Sequence, residues 1–295
     1  MLNIFFSFLF ILGNFYLSFG DISDYTVVRF PFIYKGNKFL AIREFKENTV
    51  EKVLAVNVNT LKTGIFLKEQ ISCKNFDISK TRYARLLEKS VSSELHNGGI
   101  KNGKTKYIYL TVDLCPSSKE EPFDIKVIKE FINRGHKNIA FAVSGKWFLK
   151  NKKYINWIKK QEDNNKLNVI WINHTFNHFY DPSLPLDRNF LLRKGTDISF
   201  EILEVEKLFI KEGLIPSVFI RFPGLVANRK LRETVAFTYG LIALGSDAWL
   251  AKGEKPKKGS IVLIHGNKNE PLGIKIFEKY LDKVLYFGSL YEINP

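Results

Sequence analysis

Three of the chain's five histidines have the spacing that hydrolytic metal chemistry needs. His174 and His178 bracket Thr175-Phe176-Asn177, and His265 ends the apolar run Ile261-Val262-Leu263-Ile264. A neutral imidazole ligates a metal and a charged one donates a proton, so such a set could supply both functions. Asp113, Arg221 and Asp247 stand at comparable places, each just after an apolar run. Side chains at strand ends are held by a rigid sheet and can face a substrate together.

The elements that must position them alternate along the chain from Lys106 onward. Strand-like runs at 107–112, 138–143, 168–172, 217–220, 241–245 and 260–264 are separated by helix-like segments at 124–134, 146–161, 198–212 and 230–239, with another at 274–284. This rhythm predicts parallel strands surrounded by helices, as an open sheet or a barrel. In a barrel, active groups collect at the carboxyl ends of the strands. Before Lys106, alternating runs at 25–32, 38–45, 53–58 and 63–67 read as a small β-rich unit, followed by a helix over 80–96. The glycine- and asparagine-rich stretch 97–104 reads as a linker. The expected divisions are a signal peptide at 1–20, a β-rich N-terminal region and linker at 21–104, and a catalytic domain at 105–290.

In order, Thr111-Val112-Asp113-Leu114-Cys115-Pro116, His174-Thr175-Phe176-Asn177-His178, Arg221-Phe222-Pro223-Gly224, Asp247-Ala248-Trp249 and Ile261–His265 resemble the five motifs of the polysaccharide deacetylases, carbohydrate esterase family four. The resemblance covers about 107–284 and excludes the residues before Lys104. It implies an α/β fold, a deformed (β/α) barrel, that removes N- or O-acetyl groups from a glycan with a bound divalent metal, zinc first and cobalt as an alternative. Under it Asp113 is the general base and His174 and His178 are metal ligands. Arg221 orients the base, Asp247 partners the acid, and His265 is the general acid. Trp249 walls the acetyl pocket, with Pro223 and Gly224 also beside the substrate.

The first motif departs from the family pattern. A second aspartate, the third metal ligand, is expected where Leu114 stands, and catalytic zinc normally takes three protein ligands plus water. Asp113 itself, a water, Asp181 or Asp187 could fill the gap, or the metal could be lost. Cys115 is a further soft candidate, although Pro116 suggests a turn that aims it elsewhere. The rival reading is a glycan-binding barrel without metal chemistry, and hydrolysis of another amide or ester is a third. Nothing resembles a nucleophilic serine elbow, a phosphate-cradling glycine loop or a dinucleotide fingerprint.

The first 20 residues carry no charged side chain and end in Ser18-Phe19-Gly20, which reads as a secretory signal cut near Gly20, an uncleaved anchor being the alternative. Export to the periplasm or cell exterior lets Cys73 and Cys115 form a disulfide, unless Cys115 is a buried thiol. The chain has 45 Lys and Arg against 30 Asp and Glu, a formal charge of +15. That excess favours a polyanionic partner such as peptidoglycan, with nucleic acid disfavoured by export and no stable membrane insertion expected once the signal is cut.

Overall fold

A computed structural model of the chain describes residues 20–283 and 286–295. The expected signal peptide falls outside the described residues, except for Gly20. Among the described residues, no helix is long and apolar enough to cross a membrane.

The N-terminal region forms a four-stranded antiparallel sheet, β1 (Ile22–Tyr34), β2 (Asn37–Glu47), β3 (Val50–Asn57) and β4 (Thr63–Leu67), in sequential order. Helix α1 (Arg82–Ser90) follows, capped by Thr81 accepting from Ala84 N. It stops earlier than the predicted 80–96, at Val91, which turns to extended backbone with ψ 108° and closes its N–H on Glu88 O. Cys73 pairs by its backbone with Phe32 and stays exposed, while Cys115 is buried. Both thiols are free, so of the two alternatives the structure shows Cys115 as a buried thiol.

The larger unit is a seven-stranded parallel sheet. Its strands are β5 (Tyr109–Leu114), β6 (Asn138–Val143), β7 (Asn168–Asn173), β8 (Pro216–Ile220), β9 (Ile242–Ala243), β10 (Ala248–Trp249) and β11 (Ile261–His265). The spatial order is β10-β11-β5-β6-β7-β8-β9. Helices α2 (Ile125–Asn133), α3 (Gly145–Lys150), α4 (Lys152–Asp163), α5 (Ile198–Lys211), α6 (Arg229–Glu233) and α7 (Pro271–Leu281) make the connections. Asp124 and Asp197 cap α2 and α5 by accepting backbone N–H groups three residues on, as exposed first-turn donors require. The single helix predicted over 146–161 is two helices, broken at Asn151, whose side chain donates to Trp147 O.

Strand alternation divides the core into two layers. Leu110, Val112, Leu114, Ile139, Phe141 and Val143 pack outward on the helices. Ala140, Ala142, Ile170, Ile172 and Val218 face the other way, onto Leu40, Ile42, Leu54 and Val56 of the N-terminal sheet. The two expected domains therefore share one continuous core. Arg43, fully buried, crosses between them and donates to both Glu206 carboxylate oxygens on α5 at 2.7 and 2.9 Å.

The predicted linker is a structural strap. Ile100 pairs with Leu244 beyond β9, and Asn102 pairs with Ser260 before β11. Ile100 N donates to Ala243 O and Gly245 N to Ile100 O, each at 2.9 Å, while Ile261 N donates to Lys101 O at 3.1 Å. The strap thus bridges β9, at one edge of the sheet, to β11, next to the other edge. Gly99 is required there, because a Cβ at that position would meet Ala243 O at 2.5 Å and its φ is +95°.

A candidate metal and acid–base centre at the strand ends

Asp113 on β5, His174 just after β7, Arg221 just after β8 and His265 at the end of β11 meet at the carboxyl edge of the sheet. Parallel register brings His265 directly beside Asp113. Arg221 is fully buried and donates from Nη1 to Thr111 Oγ1 at 2.8 Å and to Asp113 Oδ1 at 3.1 Å, and from Nη2 to Gly245 O at 3.1 Å. The guanidinium thus orients a buried carboxylate, with a threonine two residues earlier on the same strand face as its second anchor.

His174 Nδ1 donates to Arg221 O at 2.8 Å, which leaves the Nε2 lone pair directed into the site. There Cys115 Sγ lies at 3.4 Å and Asp113 Oδ2 at 3.9 Å. Burial lowers the His174 pKa and keeps the ring neutral, with Asp113 opposing that shift. His178 packs edge-to-face on His174, with ring centroids 4.8 Å apart. Its Nε2 is buried without a hydrogen-bond partner.

The loop that carries this pair is strained and firmly anchored. Thr175 and His178 both adopt positive φ, 62° and 48°, conformations that non-glycine residues hold only when the surroundings enforce them. Glu201 on α5 enforces them by accepting Asn177 N at 2.9 Å and Asn177 Nδ2 at 2.7 Å. Asn173 adds a turn of its own, its Oδ1 accepting Thr175 N. Glu201 had no sequence signal, since a charged residue in the first turn of a helix normally reads as solvated surface.

Cys115 points into the site, contrary to the turn expected from Pro116. Among the described residues, Cys115, His174 and His178 form a cluster able to hold a metal ion, with one donor atom from each lying within 4.8 Å of the others. Burial pushes the Cys115 thiol up, but His178 and His265 outweigh it and bring the thiol down to about 7. A neutral imidazole with a free lone pair, an unpartnered imidazole nitrogen and an acidified thiol fit a divalent metal. Asp181 and Asp187 do not fill the gap left by Leu114. The Asp181 carboxylate accepts from Ser183 N and Oγ, and Asp187 is exposed.

The acid side differs from expectation. The carboxylate on His265 is Glu270, with Oε2 2.7 Å from Nδ1. Asp247 instead accepts from Asn102 Nδ2 at 3.1 Å and pairs with Lys257 at 3.8 Å, so in place of the acid it holds the strap. Glu270 Oε2 also accepts Trp249 Nε1–H at 2.8 Å, fixing the indole 5.8 Å from the His265 ring. Burial disfavours the charged form of His265, yet Cys115, Glu270 and Asp113 raise its pKa well above the ordinary histidine value. Pro223, buried, and Gly224, half-buried, form a turn after Arg221, with Gly224 at positive φ against the Phe190 ring.

No family model matches the chain. Among solved structures it is similar to a family 4 carbohydrate esterase from Bacillus anthracis, at 23% identity over 75% of this chain and 95% of that one, with a TM-score of 0.47. A family 4 carbohydrate esterase from Streptomyces lividans in complex with acetate is 20% identical over 64% of this chain and 94% of that one, with a TM-score of 0.43. A CE4 family pseudoenzyme from Bacillus anthracis is 11% identical over 94% of this chain and 90% of that one, with a TM-score of 0.44. The curled parallel sheet with surrounding helices is the deformed barrel expected from the motifs, with the antiparallel sheet added at its N-terminal side.

Proposed function

We propose that this protein is an exported, metal-dependent carbohydrate deacetylase that removes N-acetyl groups from an anionic cell-wall glycan such as peptidoglycan. The observation that carries the reading is the convergence of three units at one edge of the sheet. These are the Asp113–Arg221 pair, the Cys115, His174 and His178 cluster, and the His265–Glu270 pair. The apolar first 20 residues support export, and the charge of +15 supports an anionic polymer.

A divalent metal held by His174 and His178, zinc by preference, would polarise the acetyl carbonyl and acidify water. Asp113, aimed by Arg221, takes the proton of the attacking water. His265, held protonated by the negative groups around it, donates from its ring to the departing amine. Glu270 fixes the orientation of that ring, and Trp249, locked by the same carboxylate oxygen, walls the space beside it.

The test is acetate release from peptidoglycan and from acetylated chitooligosaccharides by Asp21–Pro295, with zinc or cobalt added and after chelation, and with His178→Ala as the blank. Metal-dependent release that disappears in the variant supports the reading, and faster release from neutral oligomers than from peptidoglycan removes the charge argument. Glycan binding with no release from any substrate makes the protein a non-catalytic glycan-binding barrel.

A further inference from the structure

Residue 114 cannot reach the site as β5 is built. The strand runs through Leu114, which pairs with Val143 of β6, and side chains alternate along a strand. Asp113 therefore faces the site, while Leu114 faces the outer layer, fully buried in the same apolar cluster as Val112, Phe123 and Trp147. The same alternation returns residue 115 to the face of Asp113. Loop contacts hold it there: Ser144 Oγ donates to Leu114 O at 3.0 Å, and Asn267 Nδ2 donates to Cys115 O at 2.8 Å.

On that face Cys115 Sγ stands 3.4 Å from His174 Nε2, and His178 contributes a buried ring nitrogen with no partner. A buried polar atom left unpaired costs stability, and a bound ion would remove that cost. One thiolate and two imidazoles, with an open fourth position, form a donor set that catalytic zinc accepts. Thiolate selects zinc or cobalt over magnesium and calcium, which prefer oxygen ligands.

We propose that Cys115 is the third protein ligand of a Cys-His-His centre for a thiophilic divalent cation, taking over from the neighbouring position that Leu114 gives to the core. The inference rests on the reading that a metal sits between His174 and His178, but not on turnover.

The experiment is a cobalt titration of metal-stripped protein in a Cys73→Ser background, which removes the exposed thiol. The expected spectrum has a near-ultraviolet thiolate-to-cobalt charge-transfer band together with visible d–d bands, saturating at equimolar cobalt and unaffected by excess magnesium. Cys115→Ser loses the near-ultraviolet band and binds zinc on the order of 100-fold more weakly. Cys115→Asp keeps d–d bands without the charge-transfer band. Alkylation of Cys115 in the unsubstituted site, slowed about tenfold or more by bound zinc because the ligated thiolate is no longer a free nucleophile, gives a readout that does not depend on the folding of a variant. Cobalt bound in a His178-dependent manner with no near-ultraviolet band overturns the inference, as does an absence of cobalt binding. Acetate release, scored separately, decides the deacetylase: the band without release leaves the ligand assignment standing and removes the activity.

Discussion

Glu270 and His265 pair on the acid side of the site, Oε2 to Nδ1 at 2.7 Å, and the same oxygen accepts the Trp249 indole N–H at 2.8 Å. One carboxylate thus sets both the ring that would donate a proton and the aromatic wall beside it. We predict that Glu270→Gln lowers kcat for deacetylation by about 10- to 100-fold with little change in KM, since the loss falls on a proton-transfer step. Asp247→Asn, which alters a contact to the strap, should lower kcat by no more than a few-fold. Steady-state kinetics of the two variants compare the carboxylates directly, and a larger loss in Asp247→Asn would reverse their assignment.

The buried pair Asp113–Arg221 is asymmetric in its consequences. Removing Arg221 leaves a carboxylate stranded in the interior, which costs about 3–5 kcal/mol. Removing the charge of Asp113 leaves Arg221 still donating to Thr111 and Gly245. Arg221→Ala should therefore show a large drop in thermal midpoint, and Asp113→Asn should lose no more than about 2 kcal/mol while losing acetate release. Denaturant unfolding of the two proteins checks the order.

Leu114 is a core residue, and placing a carboxylate there buries an unpaired charge among apolar side chains. Leu114→Asp is expected to cost about 3–5 kcal/mol from lost packing and desolvation together, and to leave zinc affinity no better than in the parent. Calorimetric melting and a zinc titration of the variant decide this, and tighter zinc binding would contradict the alternation argument.

Arg43 ties the N-terminal sheet to α5 through Glu206, and both side chains are buried. We expect Arg43→Ala to destabilise the whole chain by about 3–5 kcal/mol in a single unfolding transition, because the two regions share a core. Separate transitions for the two regions, seen by far-ultraviolet circular dichroism and tryptophan fluorescence, would count against the shared core. All four tryptophans, Trp147, Trp157, Trp171 and Trp249, lie in the larger unit, so fluorescence reports on it alone.

The sequence by itself determined the repeating strand–helix order and the placement of Asp113, His174, Arg221 and His265 at strand ends, because both follow from local periodicity and from where each apolar run stops. It also carried His178, four residues from His174 on one short loop. Only the tertiary structure decided which groups touch. Cys115 faces the cluster because β5 continues through Leu114, and the extent of a strand is set by its partner, here Val143. Glu270 rather than Asp247 meets His265 because the turn after β11 brings it back, while Asp247 is drawn to Asn102 on the strap. That strap reads as a linker in sequence, since glycine and asparagine mark any turn. Its role appears only where β9 and β11 leave backbone donors and acceptors for Ile100 and Lys101 to satisfy.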